Sequence, residues 1–434
     1  MKSFGYILSA GLLSLASSTE AYSPDRPNDL DFTEAQAEAH NCGSVCQQNL
    51  RQYEALDRQV FGNIPFDYEF YETAANFSNS RPGDMLKLRQ QNASAYDIPP
   101  GTSLWTMQYT SVGVGGENST EPPPLVAYAH GTIGVVSACA ASSSFNGYDY
   151  HSWQLLTGPG YAVVATDYAG LGNNYTSHKY GNPLLNSEDA YFSVVAARKA
   201  FPGVFTDKWA AVGHSQGAGT VWGLSENPRV VTKESGDYVG GVSIAPSSRL
   251  NDILTAVPLN VGWGFGNLVV NIFQALKFPI QPVVLTPEAL ARYPLMYELQ
   301  LCDTSQAELN ADLPNHGIVD FTPSITQHNH EAYIAFQNKY GAATGRKGYK
   351  ELLVIQAIDD EVINVNATKA AYEDACKVGN IVHLSLYPGL DHDSSIAASA
   401  PEWLEWLDNK FAGVATRDSH RCVMETRSVL VDPL

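Results

Sequence analysis

Apolar and polar positions follow two rhythms along the chain. Over Glu34–Phe61, Leu50, Tyr53, Leu56 and Val60 recur at helical spacing, which predicts a helix. From Ser103 the rhythm turns to strands. Ser103–Ser111 alternates, with Leu104, Thr106 and Gln108 on one face and Trp105, Met107 and Tyr109 on the other. Leu125–Ala129, Tyr161–Thr166, Trp209–Val212, Tyr238–Ala245, Leu352–Gln356 and Ile381–Tyr387 read as short, buried strands. Helical stretches lie between them: Asn186–Phe201, with Asn186 as the expected N-cap, then Ala367–Lys377 and Ser394–Phe411. Strand alternating with helix predicts an α/β fold, a mostly parallel sheet with helices on both faces.

The alternation breaks between Ser247 and Lys350, an interval too long for a loop. We read residues 248–350 as an inserted helical cap or lid, 22–102 as an N-terminal arm, and 103–247 with 351–434 as the core. Within the cap, Ile253–Leu276 carries no charge and is long enough to span a bilayer. Pro258, Gly262, Asn260, Asn267, Asn271 and Gln274 make it costly in lipid. It is therefore expected to be cap core or a substrate-facing wall, with Trp263, Phe265 and Phe273 in the lining, and no transmembrane span is expected.

Composition narrows the partners. The 434 residues are 44% hydrophobic and 16% charged, ample for a core. Lys plus Arg is 26 against 45 Asp plus Glu, and the net charge of −19 argues against nucleic acid or an anionic membrane surface. Met1–Ala21 reads as a signal peptide, with Lys2 ahead of an apolar run and small residues at Ala16 and Ser18. Six cysteines (Cys42, Cys46, Cys139, Cys302, Cys376, Cys422) fit an oxidising compartment, with their pairing open and no zinc spacing. Sequons begin at Asn76, Asn92, Asn118, Asn174 and Asn366. The expected location is extracellular.

The candidate chemistry sits after the strand Trp209–Val212. There Gly213-His214-Ser215-Gln216-Gly217 gives G-x-S-x-G between a strand and a helix, the setting of a nucleophile elbow, so Ser215 is the candidate nucleophile. A serine hydroxyl needs a base, and in this arrangement the chain order is serine, acid, histidine. Asp360, after Leu352–Gln356, is the candidate acid, with Asp359 as its rival. His392, after Ile381–Tyr387, is the candidate base. The oxyanion donors are expected to be the backbone N–H of Gln216 and that of Thr132, after Leu125–Ala129, with Thr132 Oγ1 as an added donor. His214 is expected to pack. His328-Asn329-His330 lacks a matched third ligand, so no metal and no cofactor is expected.

His130-Gly131-Thr132-x-Gly134 with Cys139, Asp167-Tyr168-x-Gly170-Leu171-Gly172 and the Ser215 elbow together resemble the fungal secretory lipase family, of the lipase A type, within the α/β-hydrolases. The likeness runs from about Cys42 to Phe411. It implies an α/β-hydrolase core with a helical lid between the sixth and seventh core strands. It also implies hydrolysis of carboxylic esters, often triacylglycerols, by Ser215, Asp360 and His392. The expected partner is an ester substrate at a lipid–water interface, and the chain is expected to be a monomer. The two core disulfides of that family would correspond to Cys139 with Cys302 and Cys376 with Cys422, leaving Cys42 with Cys46. Some relatives deacetylate fungal secondary metabolites of the trichothecene type, so an acetyl-esterase is the alternative. A non-catalytic binding protein of the same fold is a remote one, and nothing marks a peptidase pocket.

Overall fold

In the computed structural model the described residues are 32–61, 67–110, 124–173, 175–256, 265–278, 284–319, 326–327, 329–414 and 422–428. The expected signal peptide, Asn118, Asn174, Trp263 and His328 lie outside them. Strands β1 (Met85–Gln90) and β2 (Trp105–Tyr109) pair antiparallel as a separate two-stranded sheet. Strands β3 (Leu125–Ala129), β4 (Ala162–Ala165), β5 (Lys208–His214), β6 (Asp237–Ile244), β7 (Leu352–Ala357), β8 (Val382–Tyr387) and β9 (Val423–Thr426) form a seven-stranded sheet. Its order is β4-β3-β5-β6-β7-β8-β9, and every neighbouring pair is parallel.

A central parallel strand is covered on both faces, so its residues can be apolar without alternation. In β5, Trp209–His214 is buried throughout. Trp209 and Ala211 pack into the core on one face, and Ala210 and Val212 into the core on the other. The helices that cover these faces are α4 (Pro183–Ala200), α5 (Gln216–Ser225), α12 (Val365–Lys377), α13 (Ser394–Ala398) and α14 (Ala400–Ala412).

Ahead of the sheet lie α1 (Glu34–Ala39), α2 (Ser44–Phe61) and α3 (Tyr68–Tyr71). Between β6 and β7 lie α6 (Leu250–Ala256), α7 (Phe265–Ala275), α8 (Pro287–Arg292), α9 (Leu295–Glu298), α10 (Asp303–Ala307) and α11 (His330–Tyr340). Strands thus give way to helices over the interval where the strand rhythm stops. In α7, Phe273 is fully buried, stacked on Phe336 at 4.9 Å. Asn267 donates to Gln306 O at 3.0 Å and Asn271 to Tyr297 Oη at 2.7 Å. The side-chain amide nitrogens of two of the polar residues that argued against a membrane span are thus bonded within the protein. Among the described residues no helix is long and apolar enough to cross a membrane.

Several boundaries differ from the periodicity. The helix expected from Asn186 starts at Pro183, and its N-cap is Asn182, whose Oδ1 accepts from Leu185 N–H at 3.1 Å. Proline at the first helical position has its φ already set for a helix, and the missing N–H is one that has no intrahelical partner there. Asn186 is instead buried in the helix. The arm helix is two helices, broken at Asn41, whose φ is 52°. Ser394–Phe411 also divides, at Ser399. Strands β1 and β9 were not anticipated; both are short and partly exposed, so neither has a continuous apolar run.

Three disulfides join Cys42–Cys46, Cys139–Cys302 and Cys376–Cys422. The second ties the loop after β3 to the start of α10, and the third holds β9 to the end of α12. Cross-linking residues 163 apart removes much of the unfolded chain's freedom. Replacing Cys139 and Cys302 together by serine is expected to lower unfolding stability by about 3–5 kcal/mol in urea titration. An unchanged midpoint would show that this link contributes nothing.

Candidate active site

The site begins where β5 stops. Ser215 has φ 54° and ψ −115°, a region that costs a residue with a Cβ of order 1–3 kcal/mol. Three backbone hydrogen bonds fix it there. Ser215 N–H donates to Ile244 O at 2.9 Å, and Ser215 O accepts from Gly219 N–H at 3.1 Å and Ser247 N–H at 3.0 Å. The turn is so tight that its neighbours have no room for side chains. A Cβ on Gly217 would stand 1.8 Å from Ala129 O, and one on Gly213 would stand 2.3 Å from Gly217 O. The N-terminus of α5 thus rests directly on the end of β3, beside His130-Gly131-Thr132.

Two loops on adjacent strands bring up the acid and the imidazole. Asp360 follows β7 and His392 follows β8, whose ends are paired through Ala357 and Tyr387. The Asp360 carboxylate meets His392 Nδ1 at 2.9 Å (Oδ2) and 3.1 Å (Oδ1). It also accepts from Val362 N–H at 2.9 Å, Ile363 N–H at 2.7 Å and Gln356 Nε2 at 3.0 Å. A carboxylate can only accept, so Nδ1 carries the proton and Nε2 presents its lone pair. Asp359, the rival, accepts from Gly389 N–H at 2.7 Å and braces the histidine's loop from the exposed side.

His214 does more than fill space. Its Nε2 donates to His392 O at 3.1 Å, and the two rings lie 4.6 Å apart. The residue before Ser215 therefore ties the elbow to the His392 loop. Burial, reinforced by His392, drives the His214 pKa well below its usual value, so this histidine stays neutral. For His392, burial pulls the pKa down, but the hydrogen bond and charge of Asp360 outweigh it and leave the value raised above 6.5.

The wall on the other side is held by tyrosines. Gly131 N–H donates to Tyr150 Oη at 2.9 Å, Tyr148 Oη donates to Thr132 O at 2.7 Å, and Tyr168 Oη donates to His130 O at 3.0 Å. Thr132 Oγ1, expected as a spare donor, instead shares a hydrogen bond with Tyr180 Oη at 2.8 Å. Gln216 points its side-chain amide at His178, with Nε2 to Nε2 at 2.9 Å. His178 Nδ1 donates to Ala169 O at 3.1 Å, so its Nε2 accepts. Burial pushes the His178 pKa down to about 3, which keeps it in that form. Sequence reading missed this shell, because isolated Tyr and His residues between strands carry no periodic signal.

Of the sequons, Asn76, Asn92 and Asn366 are exposed. One group among the described residues places three metal-type ligand atoms within 4.8 Å of one another: His214, His392 and Asp393. Of these, His392 Nδ1 and His214 Nε2 already face Asp360 and a backbone carbonyl. His330, from the H-x-H stretch, opens α11.

No protein-family model matches the chain, and no curated protein sequence matches it. Solved structures do match. Candida antarctica lipase A superposes with TM-score 0.62 at 14% identity, covering 85% of this chain and 92% of that one. Its closed state gives 0.63 over the same shares. The rice cell wall degrading esterase LipA from Xanthomonas oryzae superposes with TM-score 0.55 at 15% identity, covering 79% of this chain and 99% of that one. The chain has the α/β-hydrolase fold.

The balance at His392 gives a direct test. Its imidazole is expected to titrate above 6.5 by NMR, and Asp360→Asn should move the midpoint down, because burial is then opposed only by the charges of Asp393 and Glu361. The sign for stability follows. With the folded pKa raised, the pair stabilises fully below 6.5 and loses that contribution as pH rises through the folded value. An unchanged midpoint in the variant would break the assignment of Asp360 as the controlling charge.

Proposed function

We propose that the chain is a secreted serine carboxylic-ester hydrolase acting through Ser215, Asp360 and His392. One observation carries the reading: a serine held at φ 54° at the end of β5, with His392 Nδ1 2.9 Å from Asp360 on the next loops. His392 Nε2 takes the proton of Ser215 as Oγ attacks the ester carbonyl carbon. The carbonyl electrons move onto oxygen, which receives hydrogen bonds from the backbone N–H groups of Gln216 and Thr132. On collapse the bond to the leaving oxygen breaks and His392 returns the proton to it, releasing the alcohol. Water, deprotonated by the same imidazole, then hydrolyses the acyl-enzyme. The Asp360 carboxylate orients the imidazole and stabilises the imidazolium.

The fold likeness to a lipase and an esterase supports ester substrates. The disulfides and the Met1–Ala21 segment support an extracellular setting and removal of a signal peptide, with sugar on the exposed sequons. The net charge of −19 favours neutral substrates. We take the substrates to be apolar esters such as triacylglycerols, met at a lipid–water interface by the helices between β6 and β7 acting as a lid. No cofactor enters the scheme.

Ser215→Ala is expected to lower kcat for p-nitrophenyl esters by at least about 10⁴-fold with thermal unfolding unchanged. An active alanine variant would falsify the reading. Across p-nitrophenyl acetate, octanoate and palmitate, kcat/KM should rise with chain length; turnover of acetate alone would mark a specialised acetyl-esterase. The rate should rise with pH through the raised pKa of His392, since only neutral imidazole accepts a proton, and Asp360→Asn should move that limb to lower pH while lowering the plateau.

A further inference from the structure

The two sheets do not join. Among the described residues β4 is paired on one side only, with β3, and β2 only with β1. Between β2 and β4 lies a cavity of about 980 Å³, within the size range of small-molecule sites. It crosses the plane of the main sheet. Phe205, from the core on one face, and Trp153, from the core on the other, both line it. Ser215, Asp360 and His392 do not.

Its character is apolar and its charge is adverse to anions. Trp105 and Val204, two large apolar side chains left 40% and 45% exposed, stand in its wall. Exposed apolar area of this kind, gathered in one concave place, marks a binding surface. The lining holds two carboxylates, Asp167 and Asp189, against one ammonium, Lys179. Ser142 occupies both Asp167 oxygens, at 2.8 and 2.6 Å. Burial raises the Asp167 pKa, and a ligand carboxylate placed here would meet the same desolvation beside Asp189. A neutral head group meets no such cost, and among the described residues no strand pairs with the outer edge of β4.

We propose that this cleft is a second ligand site, apart from the serine, that takes a neutral long-chain ester or alcohol. The chain lies between hairpin and sheet edge, against Trp105 and Phe205, and the polar end rests on the β4 backbone. Such a site retains the enzyme on a neutral lipid phase without using the reacting centre.

The test uses the full chain carrying Ser215→Ala, so that no ester is consumed, and Nile red as the neutral probe. Saturable fluorescence enhancement is expected, reversed by 1-hexadecanol or methyl palmitate and at least about tenfold less well by palmitate at about pH 8, where it is ionised. Adding Ala165→Trp, on the exposed end of β4, should weaken Nile red binding at least about tenfold by filling the cleft. In the Ser215 background, Ala165→Trp should leave p-nitrophenyl acetate hydrolysis and the circular dichroism spectrum unchanged. Absence of saturable binding, binding unaffected by Ala165→Trp, or displacement by palmitate equal to that by hexadecanol would overturn the proposal. So would displacement by an extended valine-rich peptide but not by hexadecanol, which would make the cleft a strand acceptor. Loss of esterase turnover in every form would instead overturn the serine reading and leave the Nile red result standing by itself.

Discussion

The reversal of the chain at Ser215 is the constraint on which the site depends. A residue with a Cβ is held at φ 54°, and the surroundings must over-determine it. They do so from three sides: β6 through Ile244, α5 through Gly219, and the segment after β6 through Ser247. The same tightness excludes side chains at Gly213 and Gly217 and brings α5 onto β3. The order β3-β5-β6 in the parallel sheet is what puts these partners side by side. Two packed cores, one per face, hold that order in place.

Electrostatics around the elbow follow from burial. Desolvation would make every histidine there neutral, and it does so for His214 and His178. His392 escapes because Asp360 lies against Nδ1, on a carboxylate whose remaining capacity is filled by two backbone N–H groups and Gln356. Burial lowers the His130 pKa as well, so one imidazole of four keeps a raised affinity for a proton. That contrast is what an acid–base residue requires, and it arises chiefly from the Asp360 carboxylate, helped by the charges of Asp393 and Glu361.

Much of this was legible in the sequence, and unevenly so. The central strands announced themselves because both faces are buried and their apolar runs are continuous. The elbow was legible because its turn admits only small residues at fixed offsets. Asp360 and His392 were expected from chain order; their side chains are hydrogen-bonded, while Asp359 accepts from Gly389. Asn182 was missed as the cap because a start at Asn186 puts Glu188 and Asp189 in the first turn, whereas Pro183 decides the helix boundary. The tyrosines around His130-Gly131-Thr132 and the His178–Gln216 contact were not legible, since they are long-range contacts made by residues with no local pattern. The separation of β1 and β2 from the main sheet likewise has no signal in either strand.

The central claim is that Ser215 is an activated nucleophile. Its most direct measurement is covalent labelling by a fluorophosphonate, followed by peptide mass spectrometry. The account predicts a single phosphonyl group on the peptide containing Ser215, with labelling abolished by heat unfolding and slowed at least about a hundredfold in Asp360→Asn or His392→Gln. No adduct, or an adduct formed as fast in those variants or carried on another serine, would contradict it.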